Sequence, residues 1–482
     1  MQWTLHSLIS LLCVASLSAK RLHRHDVALA EFEASSDRSN DRNARNGSDG
    51  RGEDRGEVGH PGHPCLQEEP LKAVMKGLGV KDKELQHYQH LRDHPWTRWK
   101  DCRVVQLDIP TPVQGSLDER IRELVDLQHV ILFGSNLTGD VALLKENTEL
   151  NWIWMRDTSV FGDLQSLSAL RKLERLNLRG TKVYGDLKSL SMEFKWLDVS
   201  NTKVSGDLKT LRTAKLENLH LWGTQVTGDL ASLATATQMT FLGLSDTEIS
   251  GHLASLSNLA HLWKLNLART KVIGDLSIIS AWQELDMLDL SDTQITGEFT
   301  KDWSKLRSLF QLDLARTKVR ILDTSWLQNS TPIDKRCPFP KLKSLDISGT
   351  PLFCTVDEFL GSFAGCAALH SLKAKGCGLT GPMQDVQRDA RRWSDWPLTK
   401  VLRWLDMSSN NVIDVQAFPE SCRRVILAGN PAIALGPRVL QQATDSITSL
   451  DLRNTTFNPS DVAHPLESGV VKKTATRTVY NE

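Results

Sequence analysis

A glycine returns along this chain at an almost constant interval. Eight such glycines lie 21 to 23 residues apart, and each has Val, Ile or Leu two positions earlier. They are Gly139, Gly162, Gly185, Gly206, Gly228, Gly251, Gly274 and Gly297. A period of this length is typical of chains in which every repeat forms one coil of a solenoid. A single coil cannot bury its own apolar side, so we expect the coils to stack and to share one core.

Each repeat also carries an apolar phrase, which reads Leu-x-x-Leu-x-Leu-x-x-Thr in its clearest copy at residues 173–181. The alternating leucines predict a short strand with its Leu side chains inward, and stacked coils would pair these strands into a long parallel sheet. Fainter copies extend the series upstream to Leu107 and downstream to Leu452, which gives about fifteen strand phrases. The unbroken period favours one elongated domain over several compact ones.

The phrase resembles the leucine-rich repeat family and is most similar to its plant-type extracellular subclass, whose coils read Leu-x-x-Leu-x-Leu-x-x-Asn-x-Leu-x-Gly. The resemblance implies an α/β solenoid, a horseshoe with a parallel concave sheet and short convex helices or turns. It implies no single function, because the same horseshoe serves receptors, enzyme inhibitors and scaffolds. Most coils here have Thr where the family has Asn. The hydrogen-bond ladder between coils is therefore expected to run on hydroxyls, which make fewer bonds than an amide.

The sequence outside the repeats predicts the remaining organisation. The apolar run from Leu5 to Leu17, followed by small residues, is typical of a secretory signal peptide. A polar, charged stretch after it contains too few large apolar residues to fold. The predicted segments are a signal peptide (1–19), a disordered segment (20–64), an N-terminal helical cap (65–102), the solenoid (103–463, with insertions near 325–341 and 382–400) and a flexible tail (464–482).

Several features predict a secreted, extracellular protein. After the signal peptide, no stretch approaches the ~20 apolar residues that a membrane span requires. Cys65 and Cys102 bracket the cap and are predicted to form a disulfide. The pairing of Cys337, Cys354 and Cys366 stays open. Sequons for N-glycosylation occur at Asn46, Asn136, Asn329 and Asn454.

An Asp follows most of the periodic glycines, and it has two interpretations. Stacked coils would align these carboxylates along one edge, where they would either bind calcium or cap the short convex helices. Helix capping is the simpler interpretation and explains the adjacent Gly and Leu. The aligned residues are Asp140, Asp163, Asp186, Asp207, Asp229, Asp275 and Glu298, interrupted by His252.

The sequence contains no recognisable catalytic motif, so an enzyme is not expected, and neither is a cofactor or a metal. The chain has 58 basic and 58 acidic residues, and this balance argues against a nucleic-acid partner. The second insertion holds Arg388, Trp393 and Trp396. It is interpreted either as a contact for an acidic partner or glycan, or as a lid that packs its tryptophans on the convex surface.

Outward strand positions in the first half of the repeats collect aromatic residues, which a soluble monomer has no packing reason to expose. Exposed aromatic clusters rimmed by charge are typical of binding sites. The predicted ligand-binding residues are Trp152, Trp154, Arg156, Trp196, Asp198, His220, Trp222 and Phe241. The alternative is that some of these rings only pack against each other.

These observations favour a secreted, non-enzymatic recognition protein that binds a protein, peptide or glycan ligand on the concave face. The alternative is a structural repeat protein of a cell wall or extracellular matrix. An aromatic patch confined to a few coils favours discrete recognition, whereas uniform outward residues would favour the structural role.

Overall fold

In the computed structural model, the first described residues form an N-terminal helical cap. It describes residues 65–86, 91–109, 114–134, 136–298, 301–320, 337, 339–352, 354–384, 387–388, 391–436, 438–439, 442, 446–456 and 478–480. Helix α1 (Glu68–Gly77) buries Leu71, Val74 and Met75 at helical spacing, and α2 (Asp82–Gln86) follows it. A disulfide joins Cys65 to Cys102, so the cap is tied to the first strands of the solenoid.

A 17-stranded sheet runs along the described residues, and we call it the long sheet. Its strands are β1 (Thr97–Lys100), β2 (Arg103–Ile109), β3 (His129–Leu132), β5 (Trp152–Trp154), β7 (Arg175–Asn177), β9 (Trp196–Asp198), β11 (Asn218–His220), β13 (Phe241–Gly243), β15 (Lys264–Asn266), β17 (Met287–Asp289), β19 (Gln311–Asp313), β21 (Ser344–Asp346), β22 (Ser371–Lys373), β26 (Trp404–Asp406), β28 (Arg424–Ile426), β30 (Ser449–Asp451) and β31 (Thr478–Tyr480). Only the β1–β2 pair is antiparallel. The predicted parallel sheet is confirmed.

The central residue of each short strand points into the core, in register with its neighbours. Leu176 pairs with Leu197 and Leu219 pairs with Leu242, and all four side chains are fully buried. The residues on either side of the central one face outward, as the alternation of a strand requires. Outward residues at equivalent positions of consecutive coils therefore lie side by side on one surface.

The structure contains a second parallel sheet, which the sequence analysis does not predict. One strand of this sheet follows the Thr of each phrase. The sheet has nine strands among the described residues and pairs them coil to coil. They are β4 (Thr138–Asp140), β6 (Ser159–Asp163), β8 (Lys182–Asp186), β10 (Lys203–Asp207), β12 (Gln225–Asp229), β14 (Glu248–His252), β16 (Lys271–Asp275), β18 (Gln294–Glu298) and β20 (Lys318–Arg320). Later coils form a smaller sheet from β23 (Thr380–Met383), β27 (Asn411–Val415) and β29 (Ala434–Leu435).

Short 3-10 helices follow the second sheet, and the predicted helix caps are confirmed. In six coils the Asp side chain accepts a hydrogen bond from the backbone N–H two residues later, and His252 does so through Nδ1. The capping carboxylates are Asp140, Asp163, Asp186, Asp207, Asp229 and Asp275. The 3-10 helices are Leu91–Asp93, Glu119–Glu123, Val141–Leu144, Leu164–Leu167, Leu187–Ser189, Leu208–Thr210, Leu230–Leu233, Leu253–Leu256, Leu276–Ala281, Lys301–Lys305 and Trp393–Asp395.

The expectation of a hydroxyl ladder between coils is wrong for most Thr coils. Thr181 donates to the carbonyl of Leu178 in its own coil at 2.6 Å, and the equivalent threonines repeat this contact. A hydroxyl has one hydrogen to donate, so it cannot close its own turn and also donate to the neighbouring coil. Asn410 does both, because its Nδ2 donates to Met407 of its own coil and to Ala374 of the previous coil.

The C-terminal coils are less regular. Helices α3 (Val356–Gly361) and α4 (Pro397–Val401) cover them, a two-stranded hairpin pairs β24 (Gln387–Arg388) with β25 (Arg391–Arg392), and a second disulfide joins Cys337 to Cys366. Trp396, from the second insertion, is buried, which agrees with the lid interpretation. None of the helices in the described residues combines the length and hydrophobicity that spanning a membrane demands.

Candidate functional site

Aromatic rings form one continuous row on the outward face of the long sheet. We call this row, made by His129, Trp152, Trp154, Trp196, His220 and Phe241, the aromatic row. Successive ring centroids lie 5.5, 6.1, 5.6, 5.4 and 4.1 Å apart. The first four separations lie within the 4.5–7 Å typical of favourable aromatic pairs, and the last is slightly shorter. The row crosses strands β3 to β13 and is half-buried.

The ring faces at the C-terminal end of the row cover each other. His220 lies between Trp196 and Phe241, at interplanar angles of 21° and 23°. The edge of an aromatic ring carries partial positive charge. The indole N–H groups of Trp152 and Trp196 have no hydrogen-bond acceptor among the described residues. Both nitrogens are buried, so this part of the surface offers a ligand the exposed parts of the rings and not these N–H groups.

Three arginines lie beside the row on strands β5 and β7 or directly after them, and we call them the arginine group. The Arg175 guanidinium lies 5.0 Å from the Trp152 ring, and that of Arg179 lies 4.9 Å from the Trp222 ring. Arg156 is half-buried and occupies the position of Arg179 one coil earlier. Cation–π contacts of this kind hold a guanidinium in place without removing its charge. The group therefore places fixed positive charge among aromatic rings.

The outward residue after the central position is usually Asp or Asn, and its first task is structural. Asp198 accepts a hydrogen bond from the Ser200 amide at 3.0 Å, and Asn177 and Asn266 make the same contact in their coils. The contact stabilises the left-handed turn residue that follows, such as Asn201 with a φ of 52°. Asp198 is one of the predicted ligand-binding residues, and one of its carboxylate oxygens is therefore already engaged in the turn.

In three consecutive coils this position holds a carboxylate, and we call Asp289, Asp313 and Asp346 the acidic row. Burial raises the pKa of Asp289. Burial, together with the charges of the other two carboxylates, raises the pKa of Asp313 to about 7. Lys373 donates to Asp346 at 2.9 Å and offsets part of this charge. Even with Asp313 partly protonated at pH 7, the mutual repulsion of these carboxylates marks a region of negative potential on the same outward face, several coils beyond the arginine group.

The structure brings together most of the residues predicted for ligand binding. Five of the eight lie in the aromatic row, and Trp222 and Arg156 flank it. The sequence reading missed His129 and Arg175, although each stands directly before the central residue of its strand, where Trp152 and Trp196 stand in theirs. Burial, followed by the positive charges of Arg98 and Arg175, lowers the pKa of His129, so its ring is neutral at pH 7.

The other predicted sites fall partly inside the described residues. Asn136 and Asn454 are exposed, as a glycosylation site requires. Asn46, Asn329 and the signal peptide lie outside the described residues, as does the Arg388 side chain. Among the cysteines left open by the sequence, Cys337 pairs with Cys366, and Cys354 is a free thiol.

Comparison with solved structures finds a similar fold in the ectodomains of plant receptors. The ectodomain of the receptor kinase GASSHO1/SCHENGEN3 from Arabidopsis thaliana, in complex with CASPARIAN STRIP INTEGRITY FACTOR 2, superposes with a TM-score of 0.61 at 17% identity, over 81% of this chain and 53% of that one. The chain has the leucine-rich-repeat fold.

Two further leucine-rich-repeat structures are similar. The Arabidopsis receptor kinase HAESA ectodomain with an IDA peptide hormone gives a TM-score of 0.55 at 18% identity, over 81% of this chain and 66% of that one. The plant peptide hormone receptor RGFR1 in complex with RGF2 gives 0.52 at 18%, over 71% and 61%. The chain thus spans less than two thirds of the length of these relatives. No protein-family profile and no curated protein sequence matches it.

Proposed function

We propose that this is a secreted recognition protein without enzymatic activity, which binds a protein or peptide ligand on the concave face. The concave face is the outward face of the long sheet, and the aromatic row is its central contact. The single observation that carries this proposal is the confinement of the row to strands β3 to β13. A structural role along the whole length would favour uniform outward residues. The two disulfides support an extracellular location.

A peptide is favoured over a glycan by the packing of the rings. A sugar ring binds to an open aromatic face, but the faces of His220 are covered by its two neighbours in the aromatic row. The exposed parts of the ring edges, which carry partial positive charge, instead suit backbone carbonyls and acidic groups. The solved structures in complex with peptide hormones agree with this choice. Asn136 and Asn454 are proposed as glycosylated positions outside the contact surface.

Replacing two rings tests the proposal. Trp154→Ala with Trp222→Ala should weaken binding by about 2 kcal/mol or more per dominant contact, which is roughly thirtyfold. The free energy of unfolding should fall by only about 1 kcal/mol per ring, because each ring packs on other surface groups and not in the core. Ligands are first captured from secreted material on the tagged chain. The Kd of a captured ligand is then measured for the wild type and for each variant.

Trp404→Ala is the matched control. Trp404 also lies half-buried on the outward face of the long sheet, between Lys373 and Arg424, but outside the aromatic row. It should keep wild-type binding. Equal binding by the wild type and the double variant would exclude the aromatic row as the ligand surface. A loss of several kcal/mol in stability would show instead that the rings are structural.

A further inference from the structure

The outward face of the long sheet is electrically asymmetric along its length. The arginine group, which consists of Arg156, Arg175 and Arg179, lies on β7 or just after β5 and β7, and the acidic row begins on β17. Five strand steps of about 4.8 Å separate β7 from β17, or about 24 Å. An extended peptide covers this distance with about seven residues. One peptide can therefore experience both regions.

Arg156, beside the aromatic row, differs from arginines elsewhere on the outward face whose charges are cancelled. Arg269 and Arg316 form two-point ion pairs with Asp246 and Asp292, which neutralise them. Within the described residues, no ion pair of Arg156 is found. A bound anion would therefore gain the attraction of Arg156 without displacing an existing partner.

Nearby charges of opposite sign shift the pKa values of two side chains, one beside the arginine group and one in the acidic row. The positive charges of Arg98 and Arg175 help to lower the pKa of His129 at one end. The negative charges of Asp289 and Asp346 help to raise the pKa of Asp313 at the other. The effect of burial is larger in both cases, but the charge contributions agree with the placement of the side chains.

We propose that the ligand of the concave face is a peptide with acidic side chains, which bind to the arginine group while the acidic row excludes them from the strands beyond. This inference rests on the proposed function, because it assumes that the aromatic row is the contact surface. Carboxylates make charge-assisted hydrogen bonds to guanidinium groups, and the partial positive charge at the edges of the neighbouring rings suits the same oxygens. Like charge at the acidic row fixes the orientation of the ligand by repulsion.

Selection from a random peptide library tests this proposal without a known ligand. Phage-displayed twelve-residue peptides are selected on the full chain, and the enriched sequences are remade with a fluorescent label for Kd measurements. We expect an excess of Asp and Glu over the starting library. Changing those acidic residues to Asn and Gln should weaken binding by about tenfold or more, and the Arg156→Glu variant should lose affinity to a similar degree. Selection on Arg156→Glu should enrich Lys and Arg instead.

The matched control is Lys375→Glu. Lys375 is exposed in the same outward column as Arg156, but it lies beyond the acidic row. This variant should select the same acidic peptides as the wild type. An enriched set with no excess of acidic residues would overturn the inference, and so would an equal loss of affinity in Arg156→Glu and Lys375→Glu.

Failure of this inference can be told apart from failure of the proposed function. If the selected peptides lack acidic residues but bind more weakly to the Trp154→Ala, Trp222→Ala variant, recognition by the aromatic row stands and the acidic preference is wrong. If they bind that variant as tightly as the wild type, the aromatic row is not the contact surface and both proposals are wrong. A library that yields no enriched peptide would also count against both.

Discussion

At the residue scale, one side-chain position serves the turn and also sets the charge of the concave face. Asp313 and Asn266 occupy this position in different coils, and each accepts the amide hydrogen two residues later at 3.0 Å. The hydrogen bond needs only one oxygen, so Asp and Asn satisfy the turn equally. The choice between them therefore decides the surface charge and leaves the fold unchanged.

Replacing Asp313 with Asn should remove a pH dependence from stability. Burial and the neighbouring carboxylates raise the pKa of Asp313 from 3.8 to about 7, so its folded state binds a proton more tightly than its unfolded state. The stability it provides is complete below pH 3.8 and is lost as the pH rises through 7. Asp313→Asn should therefore be more stable than the wild type by a few kcal/mol at pH 8, with little difference at pH 4.

Urea unfolding at a series of pH values between 4 and 8 measures this difference. Asp406→Asn is the control, because Asp406 caps the equivalent turn at Ser408 in a coil beyond the acidic row. It should keep the wild-type slope of stability against pH. An unchanged slope in Asp313→Asn would mean that Asp313 is already solvated or paired in the folded state.

At the element scale, the Gly-Asp pair is explained by contact between coils. The capping Asp163 packs against Gly185 of the next coil, where a Cβ would lie only 2.4 Å from its Oδ1. Gly185 also has a φ of 120°, which other residues rarely adopt. The cap and the glycine therefore constrain each other across neighbouring coils, and this accounts for their joint periodicity.

The single His among the caps offers a test of this arrangement. His252 accepts the Ala254 amide at 3.2 Å, a longer bond than the 2.8–2.9 Å bonds of the Asp caps. His252→Asp should raise the free energy of unfolding by about 0.5–1 kcal/mol, because a carboxylate caps a helix better than an imidazole. His252→Ala removes the acceptor and should lower it by about 1 kcal/mol. Thermal unfolding at pH 7 measures both, and a less stable His252→Asp variant would contradict the capping role.

The sequence predicts some of these elements and misses others. The Leu-x-Leu strands and the capped short helices follow from alternation and from Asp preferences, and both were predicted. The second sheet was missed, although Thr-x-Val-x-Gly in residues 181–185 alternates with the same period of two. Gly weakens a strand, so the alternation alone does not predict one here. Stacking overcomes that weakness, since each segment pairs with two identical neighbours.

At the scale of the whole molecule, each coil contacts mainly its neighbours, so the ends are where unfolding begins. The N-terminal end is closed by helix α1 and by the disulfide between Cys65 and Cys102, which are 37 residues apart. The long sheet continues from β2 directly beyond it. Opening the cap would expose the core of the first coils to water.

Replacing both Cys65 and Cys102 with Ala should destabilise the N-terminal end by about 4 kcal/mol, from the loop entropy released in the unfolded chain. Hydrogen exchange should speed up in β2 and β3 and stay unchanged in β26 to β30, because coils couple to near neighbours. The control replaces Cys337 and Cys366 with Ala and should show the effect near β21 and β22. Uniform loss of protection along the chain would contradict this local coupling.

The sequence by itself determined the repeat, the parallel sheet and the inward leucines, because these depend on local periodicity that every coil repeats. It also placed Trp152, Trp154 and Phe241 on one outward surface, since a strand alternates its faces. Only the tertiary structure decided that the rings of the aromatic row contact one another in sequence and that Arg179 lies over Trp222. Those contacts join residues one or two coils apart, and the stacking geometry that brings them together is not written in any single repeat.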